Sequence, residues 1–133
     1  MLAATGILTP NESEACILLG RPPASLTAAD APDAARALLA LGPAAVILKL
    51  GGQGCYYMDR SLAMHAPGFA VEVRDTTAAG DTFNAALAVA LSEAMPIPAA
   101  LRFANAASSI SVTRLGAQAS APSRSEVLAA LGA

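Results

Sequence analysis

Apolar residues form short continuous runs in the first half of the chain and recur at helical intervals in the second half. The run "AAVILKL" is bounded by Pro43 and Gly51, which is typical of a strand buried on both faces of a parallel sheet. Shorter runs predict strands over residues 6–8, at "CYYMD" and at "SLAMHAP". The alternation in "FAVEV" (residues 69–73) predicts a further strand with one covered face.

Helical spacing begins at Ala79 and predicts one buried stripe, formed by Phe83, Ala86, Leu87, Ala90 and Leu91. Further helices are predicted after the turn at Pro10 and Asn11 and over residues 32–41, 98–113 and 123–131. The first of these is expected to bury Ile17, Leu18 and Leu19, and Gly42 is expected to end the second. Because strands alternate with helices, the chain is predicted to have an α/β fold.

Composition restricts the possible classes of protein. The 133 residues are 55% apolar and 14% charged, which predicts one ordered domain with a substantial core and excludes a disordered chain. A net charge of -2 gives no basic field for nucleic acid phosphates. Cys16 and Cys55 lack metal-ligand spacing and are expected to be buried thiols. No signal peptide and no apolar stretch of about 18 residues is present, so a soluble, cytoplasmic protein without membrane contact is expected.

One segment, "DTTAAGDTF", places two aspartates and a glycine directly before the most apolar helix. A strand, a tight turn and a helix start would direct several free backbone N–H groups at one point, which favours an anion. An ionised Asp81 there could take a proton from a hydroxyl group. The alternative is that Asp81 only caps the helix, as aspartate before an apolar run commonly does.

Four segments then occur in a characteristic order across residues 6–128: "TPNESEA", "LKLGGQGCYY", "DTTAAGDTF" and "LRFANAASSISVTRLGAQASAPSRSEV". Together they resemble the motifs of the PfkB-type carbohydrate kinases, and the third is especially similar to ribokinase-like members. The resemblance implies a ribokinase-like three-layer α/β/α fold that uses ATP, Mg²⁺ and K⁺. It implies phosphorylation of the primary hydroxyl of a small sugar, ribose to ribose 5-phosphate being the closest match. Fructose, another pentose or a nucleoside remain alternative substrates.

The resemblance also implies roles for individual residues. Asp81 would be the catalytic base, and Ala78, Ala79 and Gly80 would form the anion hole. The residues implied to bind the nucleotide are Asn11, Glu14, Lys49, Gly51, Gly52, Gly54, Gly80, Asp81 and Asn105, and Glu14 would also hold Mg²⁺ through water. Three of these have a simpler interpretation as well, since Glu14 could be an ordinary first-turn acid, Lys49 a strand-end lysine and Asn105 a helical residue facing water.

A monovalent cation site is implied beside the anion hole. Its residues would be Asp75, Thr77, Ser111, Arg114, Gly116 and Ser120, with potassium as the usual ion. The alternative is that Asp75 and Thr77 only organise the turn, as Asx and Ser/Thr residues often do.

The motifs found are those of the C-terminal part of such a kinase. Residues 1–133 would therefore hold the nucleotide-binding and catalytic part, and the N-terminal sugar-binding part and lid are expected to be absent. Two classes of function stay open: the working half of a sugar kinase, which associates with the N-terminal half or forms a homodimer, or a non-catalytic nucleotide-binding or dimerising remnant.

Overall fold

The computed structural model describes residues 1–132 and divides the chain into two compact units, the first spanning Met1–Ala66 and the second beginning at Pro67. The first unit contains four strands and two α-helices: β1 (Ile7–Leu8), α1 (Glu12–Leu18), α2 (Ala31–Leu39), β2 (Ala45–Lys49), β3 (Cys55–Met58) and β4 (Ala63–Ala66). The second contains three α-helices: α3 (Ala79–Ser92), α4 (Ile97–Ser111) and α5 (Arg124–Ala130).

The four strands of the first unit form one mixed sheet in the order β1-β2-β3-β4. β2 is parallel to β1, with Ile7 opposite Ala45, and antiparallel to β3, with Lys49 opposite Cys55. Residues 45–48 of β2 are fully enclosed, as the apolar run predicts. The sheet is mixed, however, because only a short turn separates β2 from β3 and so requires an antiparallel pair.

Helices α1 and α2 cover the sheet of the first unit. α2 buries Ala34 and Leu38 in the core cluster, together with Val46 and Leu48 of β2. α1 buries Ala15 and Cys16. The Cys16 and Cys55 side chains are not in a disulfide and are both buried, as expected from their apolar surroundings.

The predicted buried side of α1 is wrong. Ile17 is 79% exposed and Leu18 39% exposed, and Leu19 is only partly buried. The helix has seven residues, so it presents less than two turns to the sheet, and the small Ala15 and Cys16 side chains fill that contact. Ile17 therefore lies on the exposed side of α1, and Leu18 is only partly covered.

The second unit is formed by packed helices. α3 and α4 pack against each other, and α5 packs against α4. Phe83, Leu87 and Ala90 of the predicted stripe are buried. The strand predicted at residues 69–73 does not form, and Val71 and Val73 are 41% and 58% exposed. Alternation alone does not make a strand, since no described strand pairs with this segment.

Candidate functional site

The turn before α3 places Asp81 inside the helix rather than at its cap. α3 begins at Ala79, and its N-cap is Ala78, which has no side chain that could accept a hydrogen bond. Asp81 is thus the third helical residue, and its carboxylate has no hydrogen-bond or ion-pair partner within residues 1–132. The interpretation of Asp81 as a helix cap is wrong. Its exposed carboxylate stands at the positive end of the helix dipole.

Backbone N–H groups at the start of α3 are available to an anion. The Ala79 N–H donates to the Thr76 carbonyl at 3.2 Å and the Thr82 N–H to Ala78 at 2.9 Å. In the part of the chain that the structure describes, the Gly80 and Asp81 N–H groups have no acceptor. Of the anion-hole residues predicted from sequence, Gly80 thus presents an open donor, whereas the Ala79 donor is engaged within the turn.

The turn is held in place by α4 of the same unit. The Val112 carbonyl accepts from the N–H groups of Arg74 and Asp75 at 2.7 and 3.1 Å. The Ser108 hydroxyl donates to the Ala79 carbonyl at 3.0 Å. Sequence analysis missed this role of Ser108, because a serine within an apolar helix gives no sign of what its hydroxyl contacts.

A second residue that sequence analysis missed is Asn84, one helical turn beyond Gly80. Its Oδ1 is buried and has no donor among residues 1–132. Buried acceptors are nearly always paired, so this atom is suited to a donor supplied by a ligand or a partner group.

The Asp75 carboxylate joins two loops of the second unit. One oxygen accepts from the Thr77 N–H at 2.9 Å and from its hydroxyl, and the other accepts from the Gly116 N–H at 3.0 Å. The Thr77 hydroxyl, followed by the Gly116 and Thr77 amides, lowers the pKa of Asp75. Three of the predicted cation-site residues, Asp75, Thr77 and Gly116, are therefore brought together. Their hydrogen bonds organise the turn without an ion.

The side chains of the other predicted cation-site residues already have partners within the second unit. The Ser111 hydroxyl donates to Ser108 and the Ser120 hydroxyl to Ala117, at 2.9 and 2.6 Å, and both serines are buried. The Arg114 side chain pairs with Glu126 and, together with the Ser123 cap, lowers the pKa of that carboxyl to about 2. Within residues 1–132, no three His, Cys, Asp or Glu side chains are grouped so that they could hold a metal ion.

In the first unit, Asn11 and Glu14 form a reciprocal capping box at the start of α1. The Asn11 side chain accepts from the Glu14 N–H at 2.8 Å, and the Glu14 Oε2 accepts from the Asn11 N–H at 2.9 Å. This satisfies two otherwise unpaired donors. The structure therefore supports the first-turn interpretation of Glu14, while its Oε1 makes no hydrogen bond or ion pair with described residues.

The glycine turn between β2 and β3 presents open backbone. Gly51 and Gly54 have φ values of +55° and +90°, a conformation that favours glycine. The turn is closed by the Leu50 N–H, which donates to the Gly54 carbonyl at 2.8 Å. A Cβ at Gly51 or Gly52 would meet nothing within 4 Å, so this face has room for a ligand.

Lys49 and Asn105 were the two remaining nucleotide candidates. The Lys49 side chain is partly exposed and makes no ion pair with the described residues, which agrees with a strand-end lysine. Asn105 is 4% exposed and donates to the Pro67 carbonyl at 3.2 Å. The interpretation of Asn105 as a residue facing water is therefore wrong.

The chain is similar to known proteins along nearly all of its length. The profile of the pfkB family carbohydrate kinases matches residues 1–124. A ribokinase from Bacillus subtilis (strain 168) is 51% identical over 120 residues, which are 90% of this chain and 37% of that protein. A ribokinase from Haemophilus influenzae is 40% identical over 131 residues, 41% of its length. The chain thus spans about two fifths of the length of these relatives.

Comparison with solved structures leads to the same family as the sequence comparisons. A Thermotoga maritima ribokinase superposes with a TM-score of 0.84 and 46% identity, covering 96% of this chain and 42% of that one. An Arabidopsis thaliana ribokinase complexed with ribose and ATP gives 0.87 at 39% identity, covering 98% and 42%. The predicted ribokinase-like α/β fold is confirmed, and this chain matches its C-terminal portion. The chain belongs to the pfkB family of carbohydrate kinases.

Proposed function

We propose that this chain carries the nucleotide-binding and phosphoryl-transfer part of an ATP-dependent sugar kinase. The proposed substrate is D-ribose and the proposed product ribose 5-phosphate, since relatives named ribokinase reach 51% identity. The observation that carries the proposal is the start of α3, where an exposed, unpartnered Asp81 carboxylate adjoins two free N–H groups.

That arrangement suits the two tasks of phosphoryl transfer. The Asp81 carboxylate accepts the proton of the attacking hydroxyl group, which makes the oxygen a better nucleophile. The Gly80 and Asp81 N–H groups, already fixed by the helix, stabilise the charge that develops on the transferring group. Ser108 and Val112 position this turn through hydrogen bonds to its backbone.

Residues of the first unit are proposed to hold the nucleotide. The open backbone at Gly51 and Gly52 leaves room for ribose or phosphate, and Lys49 offers a free ammonium group. Glu14 is proposed to reach Mg²⁺ through water with Oε1, the oxygen that the capping box leaves open. When bound, ATP supplies the phosphoryl group and Mg²⁺ neutralises part of its charge.

A potassium ion is a further proposal for the loops around Asp75. Its carboxylate already links Thr77 to Gly116, so a cation beside it would fix the same two loops. Its effect on activity would then be exerted through the position of the α3 turn.

A second candidate is a non-catalytic nucleotide-binding remnant. The observation that favours it is the open glycine turn at Gly51 and Gly52, which would serve nucleotide binding without any catalytic role. Positioning supplies much of the rate in phosphoryl transfer, so a chain without a sugar clamp would bind ATP and turn over slowly.

The test is ATP turnover with and without D-ribose, in Mg²⁺ and K⁺. It is run on this chain and on a fusion that places the preceding N-terminal part of the Bacillus subtilis ribokinase upstream of it. We expect ribose-dependent turnover in the fusion, and we expect Asp81→Asn to reduce it by about 10²–10⁴-fold. Asp33→Asn is the control and should leave turnover unchanged, because Asp33 is an exposed residue of α2. Full activity of Asp81→Asn would contradict the proposed base. Nucleotide binding without turnover would favour the remnant.

A further inference from the structure

The turn before α3 is attached at both of its ends to one side of α4. At its start, the Val112 carbonyl accepts from the Arg74 and Asp75 N–H groups at 2.7 and 3.1 Å. At its end, the Ser108 hydroxyl donates to the Ala79 carbonyl at 3.0 Å. Because Ser108 and Val112 are one helical turn apart, they lie on the same side of α4. The turn is therefore held along α4 between two contacts.

The Ser108 contact acts on the peptide group that carries the Gly80 N–H. A peptide group is planar, so the Ala79 carbonyl and the Gly80 N–H move as one rigid unit. This peptide bond is trans, so the two groups point in opposite directions. Fixing the Ala79 oxygen therefore fixes the direction of the Gly80 N–H, which has no acceptor among residues 1–132.

The same contact makes the Gly80 N–H a stronger donor. Hydrogen bonds to one amide group strengthen each other, because a donor at the carbonyl oxygen withdraws electron density and leaves more positive charge on the amide hydrogen. A carbonyl oxygen has two lone pairs, so Ala79 can accept from Ser108 and also from the N–H four residues later in α3. Ser108 thus adds a contact without removing one from the helix.

The contact belongs to position 108 and not to every serine of α4. Ser108 and the adjacent Ser109 are both partly buried. The Ser108 carbonyl accepts from the Ser111 hydroxyl at 2.9 Å, within the same helix. The Ser109 hydroxyl makes no hydrogen bond to a described residue. Ser109 is therefore a matched control for the removal of one hydroxyl group from α4.

We propose that Ser108 is a positioning residue for phosphoryl transfer, which acts through the Ala79–Gly80 peptide to direct and strengthen the Gly80 N–H. This inference rests on the proposed function, in which that N–H stabilises the transferring phosphoryl group. A donor fixed before the reaction contributes most where charge develops in the transition state. Ser108 should therefore affect kcat and leave KM nearly unchanged.

The first experiment measures kinetics in the fusion with the N-terminal part of the Bacillus subtilis ribokinase. We expect Ser108→Ala to lower kcat about tenfold, which is less than the loss of about 10²–10³-fold when such a donor is removed outright. KM for ATP and for D-ribose should change less than about twofold. Ser108→Thr keeps a hydroxyl group and should restore most of kcat, and Ser109→Ala should match the wild type. An unchanged kcat in Ser108→Ala, or an equal loss in Ser109→Ala, would overturn the proposal.

The second experiment needs no turnover and uses NMR of the 133-residue chain, with inorganic phosphate as the probe. The Gly80 amide proton should move downfield as phosphate is added, and Ser108→Ala should require at least about threefold more phosphate for half of this change. Loss of one hydrogen bond should lower the Tm by no more than about 5 °C. A larger fall in Tm, or a Gly80 response that Ser108→Ala leaves unchanged, would overturn the positioning role.

The two experiments separate this inference from the proposed function. A Gly80 response that weakens in Ser108→Ala, in a chain whose fusion never shows ribose-dependent turnover, would support the action of Ser108 on Gly80 and contradict the proposed function. Ribose-dependent turnover with equal kcat in the wild type and in Ser108→Ala would support the proposed function and overturn the inference. A wild-type chain whose Gly80 amide does not respond to phosphate would contradict both.

Discussion

The Asp75 carboxylate and the Gly116 amide, 41 positions apart in sequence, are joined by a hydrogen bond of 3.0 Å. Because the other Asp75 oxygen holds Thr77, one side chain fixes the turn before α3 to the loop after α4. The position of the α3 start, with its free N–H groups and its Asp81 carboxylate, therefore depends on a residue that need not touch the substrate.

Asp75→Asn is expected to lower the Tm of the chain by about 2–5 °C. An amide keeps one acceptor oxygen but places an NH₂ group against one of the donors from Thr77 or Gly116. Thermal unfolding at pH 7 measures the effect. Asp33→Asn is the control and should change the Tm by less than about 1 °C, because its ion pair with Arg36 is exposed.

The Asp75 contribution should also depend on pH. Its hydrogen bonds lower the folded-state pKa, so its stabilisation is present above the unfolded-state pKa of about 3.9 and is lost as the pH falls through the lower folded-state value. The Tm difference between the wild-type chain and Asp75→Asn should thus be largest near neutral pH and shrink below about pH 4. A difference that stays constant down to pH 3 would contradict this assignment.

Gly42→Ala is expected to destabilise the first unit by about 1–3 kcal/mol. Gly42 has φ +118°, and a Cβ built on it would lie 2.8 Å from the Ala3 Cα, an approach that backbone atoms cannot relieve cheaply. Gly6→Ala is the control, since a Cβ there meets nothing within 4 Å. Denaturant unfolding of both variants measures the difference, and equal stabilities would show that the Ala3 contact relaxes.

The sequence predicts the elements that have strong local signals. β2 and α3 follow from a long apolar run and from a sustained 3.6-residue period, which tertiary contacts rarely override. The prediction that Ile17 is buried is wrong because α1 is too short for its apolar spacing to select one face. Contact with the sheet determines instead which residues of α1 are buried. The strand predicted at "FAVEV" is wrong because a strand forms only when its backbone pairs with a neighbouring strand. The alternation of apolar and polar residues does not supply that neighbour.

The candidate site also has parts that the sequence predicts and parts that it does not. The motif at Asp75–Asp81 is visible in the sequence, yet the role of Asp81 depends on where α3 begins, because Asp81 lies three residues beyond the N-cap position. The hydrogen bonds of Gly116 and Ser108 to this turn join distant segments. No local pattern encodes such pairs, which only the folded chain brings together.

Asp81→Asn should separate stability from activity. Because Asp81 is exposed and has no partner in the described chain, its removal should cost less than about 1 kcal/mol, the loss of an acid near a helix N-terminus. Denaturant unfolding of the isolated chain measures this. A loss of several kcal/mol would mean that the carboxylate has a structural role, and any fall in turnover could then no longer be assigned to a missing base.

Glu14→Gln tests whether Glu14 does more than cap α1. A glutamine oxygen can still accept from the Asn11 N–H, so the capping box and the Tm should be kept, while the negative charge is lost. If Glu14 reaches Mg²⁺ through water, the variant should need several-fold more Mg²⁺ for half-maximal nucleotide binding, measured by calorimetry. Asn11→Ala is the contrasting variant, because it removes the acceptor for the Glu14 N–H and should destabilise the unit by about 1 kcal/mol. An unchanged Mg²⁺ requirement in Glu14→Gln would leave the cap as the only role of this carboxylate.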